Sequence, residues 1–559
     1  MTIFVLDTIY LFMDHYLYLL QQATRKFWDK SALNTIDGES FTYSQMATLI
    51  AKFHLFFETI GVKKGEHIAL WARNSARWGM SYLAVNTYET VVVPILSDFT
   101  PDNVEFLLEH SDSVALLTNA DKFSKLHLEK NPAIKFAIDV DNLKVLYCAD
   151  PGIKGIWNNI DNLFAEKYPG GFGPEDVVYP TDNWDDLAVI NYTSGSTGNP
   201  KGVMLTYRNF CATIEFSQVN RPTNEHQRMI SMLPMAHMYG LVTEFIYPLC
   251  YGTSIYWLGK TPTPSTLMKA FQQVKPYQLI TVPLVMEKIF KSKVKPIVDK
   301  QPVKLLCKIP GINQIIFKKI HDKMIDAFGG EVQEFILGGA PVSPEVEKWF
   351  KLIKLPYMVG YGMTEATPLL AYVGYKDYVA GSCGKPVTCA DVRIDSEDPE
   401  HIAGEIQAKG DNICIGYYKN PEASANAFTE DGYLRTGDLG IMDKDGNIFI
   451  KGRSKSMILS ANGQNIYPEE VEAFINDQPY VGESVVVDRS SRLVALVYLD
   501  PDAIKRDGLD AEAIADLPER IRVNSNKKLP NYSQIAKVEI QETPFEKTPK
   551  MSIKRFLYK

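Results

Sequence analysis

Short apolar runs alternate with segments of helical spacing along most of this chain, and that alternation limits its fold more than any other feature. Met46, Leu49, Ile50, Phe53, Phe56, Phe57 and Ile60 recur at helical intervals, and Gly61 stands where a left-handed cap belongs. The runs HIALW (67–71), VVVPIL (91–96) and SVALLTN (113–119) follow. They are parted by a helix expected around Trp78 to Asn86 and by another opened by Thr100 and Pro101. This pattern predicts an α/β fold of doubly wound parallel sheets, helices on both faces and ligands at the carboxyl ends of strands. At 559 residues the chain exceeds what one core supports, so at least two domains are expected. The character changes after NIFIKGRSKS (447–456). Pro468, Glu469 and Glu470 open a short helix with Val471, Phe474 and Ile475 on its inner side, and SVVV (484–487) and LVALVYL (493–499) read as a hairpin. The expected division is a large N-terminal domain, 1–452, and a small α+β domain, 453–559.

A formal net charge of −8 argues against a nucleic-acid surface. Seven cysteines, at 148, 211, 250, 307, 383, 389 and 414, are odd in number and show no metal spacing, which points to a reduced, cytoplasmic compartment. The apolar opening MTIFVLDTIYLFMDHYLYLL carries Asp7, Asp14 and His15 and lacks a basic start and a small-residue cleavage site. It reads as neither leader nor membrane span. Met13 is an alternative start, ahead of an ordinary amphipathic helix.

Residues 190–209, INYTSGSTGNPKGVMLTYRN, resemble a phosphate cradle, although not the common nucleotide loop. Counting from Gly195, the sixth place is Pro200, which has no N–H to offer, and Lys201 is followed by Gly202 where a hydroxyl belongs. The segment after Lys201 reads as a strand, so the loop joins strand to strand. Gly195, Gly198 and Gly202 permit close backbone approach, Thr193, Ser194, Ser196 and Thr197 add hydroxyls, and Lys201 adds a point charge. Taken alone, the same residues also suit a flexible surface loop.

Five further stretches follow in order: LPMAHMYG (233–240), GGAPVSPE (338–345), MVGYGMTEATP (358–368), GYLRTGDLG (432–440) and KGRSKSMI (451–458). Together with the loop they resemble the adenylate-forming superfamily of acyl-CoA synthetases, luciferases and peptide-synthetase adenylation domains. The resemblance implies that a carboxylate attacks the α-phosphorus of ATP, and that a thiol, here coenzyme A, then displaces AMP. It also implies a β-barrel-like subdomain and a mobile C-terminal lid. Lys201, His237, Glu365 and a tail lysine become the candidate catalytic residues. Glu365 is the expected Mg2+ ligand, with Thr364 touching the α-phosphate and Gly362 and Met363 among the ATP-binding residues. Gly338, Gly339 and Ala340 would border adenine, with Tyr361 stacked on it. Asp438 would accept the ribose hydroxyls, Arg453 would touch ribose or phosphate, and Lys455 would be the hinge. Each motif also has a structural reading: a helix-start glutamate for Glu365, a satisfied core histidine for His237, and tight turns for Gly338–Gly339 and Asp438.

One departure stands out. Where the family carries a lysine after Thr-Pro-x-x, this chain has Ser552, with Lys550 and Lys554 two residues to either side. In an extended segment both would share its face; Lys550 is the preferred substitute. LPMAHMYGLVTEF has no aspartate to hold an ammonium, which argues against an amino-acid substrate. Ten lysines between Lys288 and Lys323, against Asp299 and Asp322, suit either a solvated face or contact with an anionic membrane. The expected activity is a long-chain fatty acid–CoA ligase, cytoplasmic or peripheral at the inner membrane face. A carrier-protein or aryl-acid ligase, or a non-catalytic sensor of nucleotide or acyl-adenylate, are the rivals.

Overall fold

The structure, a computed structural model, describes residues 13–128, 131–193, 200–260, 263–290, 294–459, 465–489, 492–547 and 553–558. Eight strands form the first sheet, in the order Gly416–Tyr417, Lys201–Thr206, Leu187–Thr193, Val91–Pro94, His67–Trp71, Ser113–Thr118, Phe136–Asp139 and Val145–Cys148. From Leu187–Thr193 to Phe136–Asp139 the strands run parallel, and the margins are antiparallel. The three apolar runs identified in the sequence are central strands here, buried on both faces as parallel strands require.

Seven strands form the second sheet: Tyr357–Val359, Glu334–Leu337, Gln278–Thr281, Arg228–Ser231, Ser254–Trp257, Ser31–Thr35 and Ser40–Thr42, parallel except for the last pair. The helix Tyr43–Ile60 begins with a capping box between Thr42 and Gln45 and ends at Gly61, whose φ of 75° is the expected left-handed cap. It buries Met46, Ile50, Phe53, Phe56 and Phe57. Thr100 caps a helix with Pro101 in its first turn, as the sequence predicts. A core running from Tyr16 to Cys414 joins the first sheet to the second; Phe271, Leu279, Met324, Phe328, Phe335 and Phe350 belong to a separate one.

The barrel-like part is a four-stranded antiparallel sheet of Ala390–Asp395, Gly404–Gly410, Leu434–Met442 and Ile448–Arg453. It shares a core with the short sheet of Tyr361–Gly362, Leu369–Tyr372 and Lys385–Pro386: Ile406, Ala408, Leu434 and Ile448 meet Tyr361, Leu370 and Ala371. Toward the C-terminus, Val481–Asp488 and Leu493–Leu499 form the predicted hairpin, and Ile535–Gln541 joins it in parallel. The helices Pro468–Asn476 and Ala511–Asn526 cover this sheet, around a core of Val471, Ile475, Ala495, Val497, Leu517 and Ile521. Among the described residues, no helix is long and apolar enough to cross a membrane.

In the tail, Lys547 and Ile553 form an antiparallel bridge. Lys554 lies beyond the bridge, its backbone N–H donating to the Glu546 carbonyl and its Nζ 3.3 Å from Glu546 Oε2. Lys550 and Ser552 fall outside the described residues, and so does the shared face expected for Lys550 and Lys554.

Candidate active site

The second sheet delivers its carboxyl ends to several of the motifs. Ser231 ends one strand just ahead of LPMAHMYG, Leu337 ends another before Gly338, Gly339 and Ala340, and Val359 ends a third before Tyr361. From the first sheet, Leu187–Thr193 turns into Lys201–Thr206, with Thr193 and Lys201 directly opposite. The loop therefore joins strand to strand, as its sequence requires. Ser194, Gly195, Ser196, Thr197 and Gly198 lie outside the described residues. Gly202 is needed where it stands: a Cβ there would come within 2.8 Å of Ile190 Cγ2 and 3.2 Å of the Tyr192 ring.

Two clusters form at neighbouring places in the chain. In the first, the strand Gly416–Tyr417 pairs with Lys201–Thr206 and brings Tyr417 between Lys201 and Glu365. The Tyr417 hydroxyl donates to Glu365 Oε1 at 3.0 Å, and Lys201 Nζ lies 5.0 Å from the centre of the Tyr417 ring. Glu365 and Thr364 are buried in a single helical turn, Thr364–Ala366. The Met363 N–H donates to the Pro368 carbonyl, and Gly362 admits no side chain because a Cβ would sit 1.8 Å from that same oxygen. In the second cluster, the Tyr361 hydroxyl donates to Asp438 Oδ2 at 2.7 Å, and Arg453 Nε stands 3.1 Å from Asp438 Oδ1. Asp438 and Arg453 are cross-strand partners. Burial raises the Asp438 carboxyl above its usual range, with Arg453 opposing the shift.

His237 is half-buried at the start of the short helix Met238–Gly240. The loop before it is held by three side chains that sequence reasoning did not single out. Asn74 donates to the Leu233 carbonyl at 2.8 Å and accepts from the Met235 N–H at 3.1 Å, and Asn191 donates to the Ala236 carbonyl at 2.8 Å. Glu244, fully buried in the π-helical stretch Leu241–Ile246, accepts through Oε2 from Ser231 Oγ at 2.9 Å and from the N–H groups of Met232 and Leu233, each at 3.1 Å. A carboxyl inside LVTEFI and an amide inside AVINYT were the available signals, being polar groups placed where the pattern calls for core. Tyr239 packs its ring against Gly338, where a Cβ would meet it at 2.9 Å, and so links the His237 segment to the Gly338–Ala340 turn.

Burial pushes the Glu244 carboxyl up to about 8. With its folded value above its unfolded one, the folded state holds the extra proton, so this group's contribution to stability declines as pH rises through neutrality to about 8. Glu244→Gln keeps an acceptor for the three donors without that dependence. By pH 9 the wild type should have lost about 2–4 kcal/mol relative to this variant, compared with pH 5. Chemical denaturation of both proteins across that range measures the difference; parallel profiles would contradict the assignment.

The site suits Mg2+ in chemistry: one buried carboxylate, Glu365, with Oε1 fixed by Tyr417, answers an ion that takes one or two carboxylates and completes its shell with phosphate oxygens and water. Lys455 is exposed in the turn Ser454–Ser456, immediately after Arg453. On either side of that turn, Lys451 pairs with Glu470 at 3.2 Å, and the N–H of Glu345 reaches Asp477 Oδ2 at 3.4 Å.

The chain is 26% identical to a protein of Mycobacterium bovis named long-chain-fatty-acid–CoA ligase FadD15, over 93% of this chain and 91% of that one. It is 27% identical to the peroxisomal long chain acyl-CoA synthetase 6 of Arabidopsis thaliana, over 87% of this chain and 73% of that one. Its fold superposes on o-succinylbenzoate coenzyme A synthetase from Bacillus subtilis, solved with AMP, with a TM-score of 0.74 at 21% identity, covering 97% of this chain and 98% of that one. The profile described as AMP-binding enzyme matches residues 20–418, and the one described as AMP-binding enzyme C-terminal domain matches 455–558. The resemblance carried by the motifs is thus borne out, and the chain belongs to the AMP-binding enzyme family.

Proposed function

We propose that this protein is an AMP-forming acyl-CoA ligase whose acid is a long-chain fatty acid. The carrying observation is the contact chain from Lys201 through Tyr417 to Glu365, which gathers a cation and a buried carboxylate from two motifs. A carboxylate approaching ATP is an anion meeting a polyanion, a repulsion of about 1–4 kcal/mol per pair of unit charges at 4 Å in wet to partly buried surroundings. Lys201 and a tail lysine offset it, and bound Mg2+ would neutralise phosphate charge from Glu365. One acid oxygen bonds to the α-phosphorus as pyrophosphate leaves; the sulfur of coenzyme A then bonds to the acyl carbon as AMP leaves with that oxygen. In this reading His237 would lie beside the acid carboxylate, and Tyr361, Asp438 and Arg453 would hold adenine and ribose. Relatives named for long-chain acids support the choice of acid. A panel of fatty, aryl and dicarboxylic acids, with AMP release as readout, tests it; turnover only with aryl acids or only onto carrier protein would overturn it.

Lys455 is proposed as the hinge about which residues 453–559 rotate between the two half-reactions. Hinge positions absorb φ/ψ change, and proline fixes φ. Lys455→Pro should slow thioester formation by about tenfold or more while sparing acyl-adenylate formation, as a hinge variant restricted to one arrangement would. Equal loss of both half-reactions in single-turnover measurements would contradict a hinge at this residue.

A further inference from the structure

The lysine-rich segment identified in the sequence belongs to the connection between the parallel neighbours Gln278–Thr281 and Glu334–Leu337. A crossover between parallel strands needs about a dozen residues, and this one runs from 282 to 333. Within the surplus, the short helix Gln301–Leu306 is almost wholly exposed; Val303 and Cys307, one turn apart, are its partly buried side chains. Leu305 is 65% exposed and Ile315 60%, and Leu306, Ile309 and Ile312 are exposed with them. Ile312, Ile315 and Lys319 follow one outer stripe of the helix Ile312–Ala327, whose opposite face buries Ile320 and Met324.

The charge around these aliphatic groups is of one sign. Lys300, Lys304, Lys308, Lys318 and Lys319 are exposed, no acidic residue lies between Asp299 and Asp322, and among the described residues no ion pair engages these five lysines. A basic, aliphatic protrusion on a chain of net charge −8 is an asymmetry that folding does not require. We propose that this surface, from Lys300 to Lys319, docks the protein on an anionic lipid bilayer, with Leu305, Ile309, Ile312 and Ile315 entering the interface and the lysines meeting phosphate headgroups. A protein partner fits less well. Protein interfaces are enriched in Trp, Tyr and Arg and depleted in Lys, whereas residues 297–323 contain no Trp, Tyr or Arg. Leucine and isoleucine flanked by long lysine stems are the composition that a headgroup boundary accepts. The proposal goes beyond the ligase reading and holds or fails independently of it.

Vesicle co-sedimentation of the full chain, without substrates, tests this inference. Vesicles of phosphatidylcholine with 30% phosphatidylglycerol should retain the protein at low salt, and pure phosphatidylcholine should not. The triple change Lys300→Glu, Lys304→Glu, Lys308→Glu should weaken partition by more than about a hundredfold, at about fivefold per lysine. Leu305→Ser with Ile309→Ser and Ile315→Ser should weaken it comparably, while thermal unfolding matches wild type because all six side chains are solvent-facing. Failure of wild type to bind anionic vesicles, or undiminished binding by both variants, would overturn the proposal. So would a concentration-dependent dimer, seen in sedimentation velocity, that the aliphatic variant abolishes.

Discussion

Replacing Glu365 by alanine should lower acyl-adenylate formation by about a hundredfold or more and leave the fold intact. The carboxylate stands in a single turn between Gly362 and Pro368, and one of its oxygens is fixed by Tyr417. Its proposed work is to hold the cation that neutralises phosphate charge as pyrophosphate departs, an interaction that matters more in the transition state than in the bound substrate. The loss should therefore fall on the rate of ATP–pyrophosphate exchange and on its Mg2+ requirement, and raising Mg2+ should recover part of it. Tyr417→Phe should weaken Mg2+ affinity by about 10- to 100-fold with a smaller effect at saturation, since it removes the group that orients the carboxylate. Near-normal exchange by Glu365→Ala at saturating Mg2+ would remove Glu365 from the metal site.

The second large effect concerns the tail. Ser552 occupies the place of the family's lysine and cannot supply its charge. In sequence Lys550 directly follows Pro549, two residues ahead of Ser552, whereas Lys554 pairs with Glu546. Beyond it, Arg555 pairs with Glu472 on the helix Pro468–Asn476. Lys550→Ala should slow adenylation by about 30- to 1,000-fold, the effect of removing one charge-assisted hydrogen bond from a closed site. Thioester formation from supplied acyl-adenylate should hardly change, and Lys554→Ala should do little in either step. Measuring both half-reactions for both variants decides the matter. An adenylation defect in Lys554→Ala instead would move the role to that residue, and none in either would place the charge elsewhere.

Much of this was legible in the sequence because a few physical rules acted locally. Gly61 at a helix end, Thr100-Pro101 at a helix start and three unbroken apolar runs each need little tertiary context to be read. The strand–loop–strand arrangement around Lys201 followed from the strand pattern of residues 202–206, with helical spacing only after it. The positions of Lys550 and Ser552 lie outside the described residues, and the bridge between Lys547 and Ile553 is a pairing that side-chain periodicity does not record. Tyr417 was missed for a related reason. Nothing in GYYKN marks its hydroxyl as a partner of Glu365 until Gly416–Tyr417 pairs with Lys201–Thr206. Asn191 and Glu244 were visible as polar residues in apolar runs, whereas Asn74 sits among polar neighbours in WARNSA, and only the fold reveals that all three close on the loop carrying His237.

The central claim is that the acid is activated as an acyl-adenylate, and an isotope measurement reaches it directly. The full chain is incubated with hexadecanoate labelled with 18O in its carboxyl group, together with ATP, Mg2+ and coenzyme A, and the products are resolved by mass spectrometry. Attack of the carboxylate on the α-phosphorus predicts one labelled oxygen in AMP, none in pyrophosphate, and hexadecanoyl-CoA in equal amount to AMP. Label appearing in inorganic phosphate, or AMP released without label, would contradict the account.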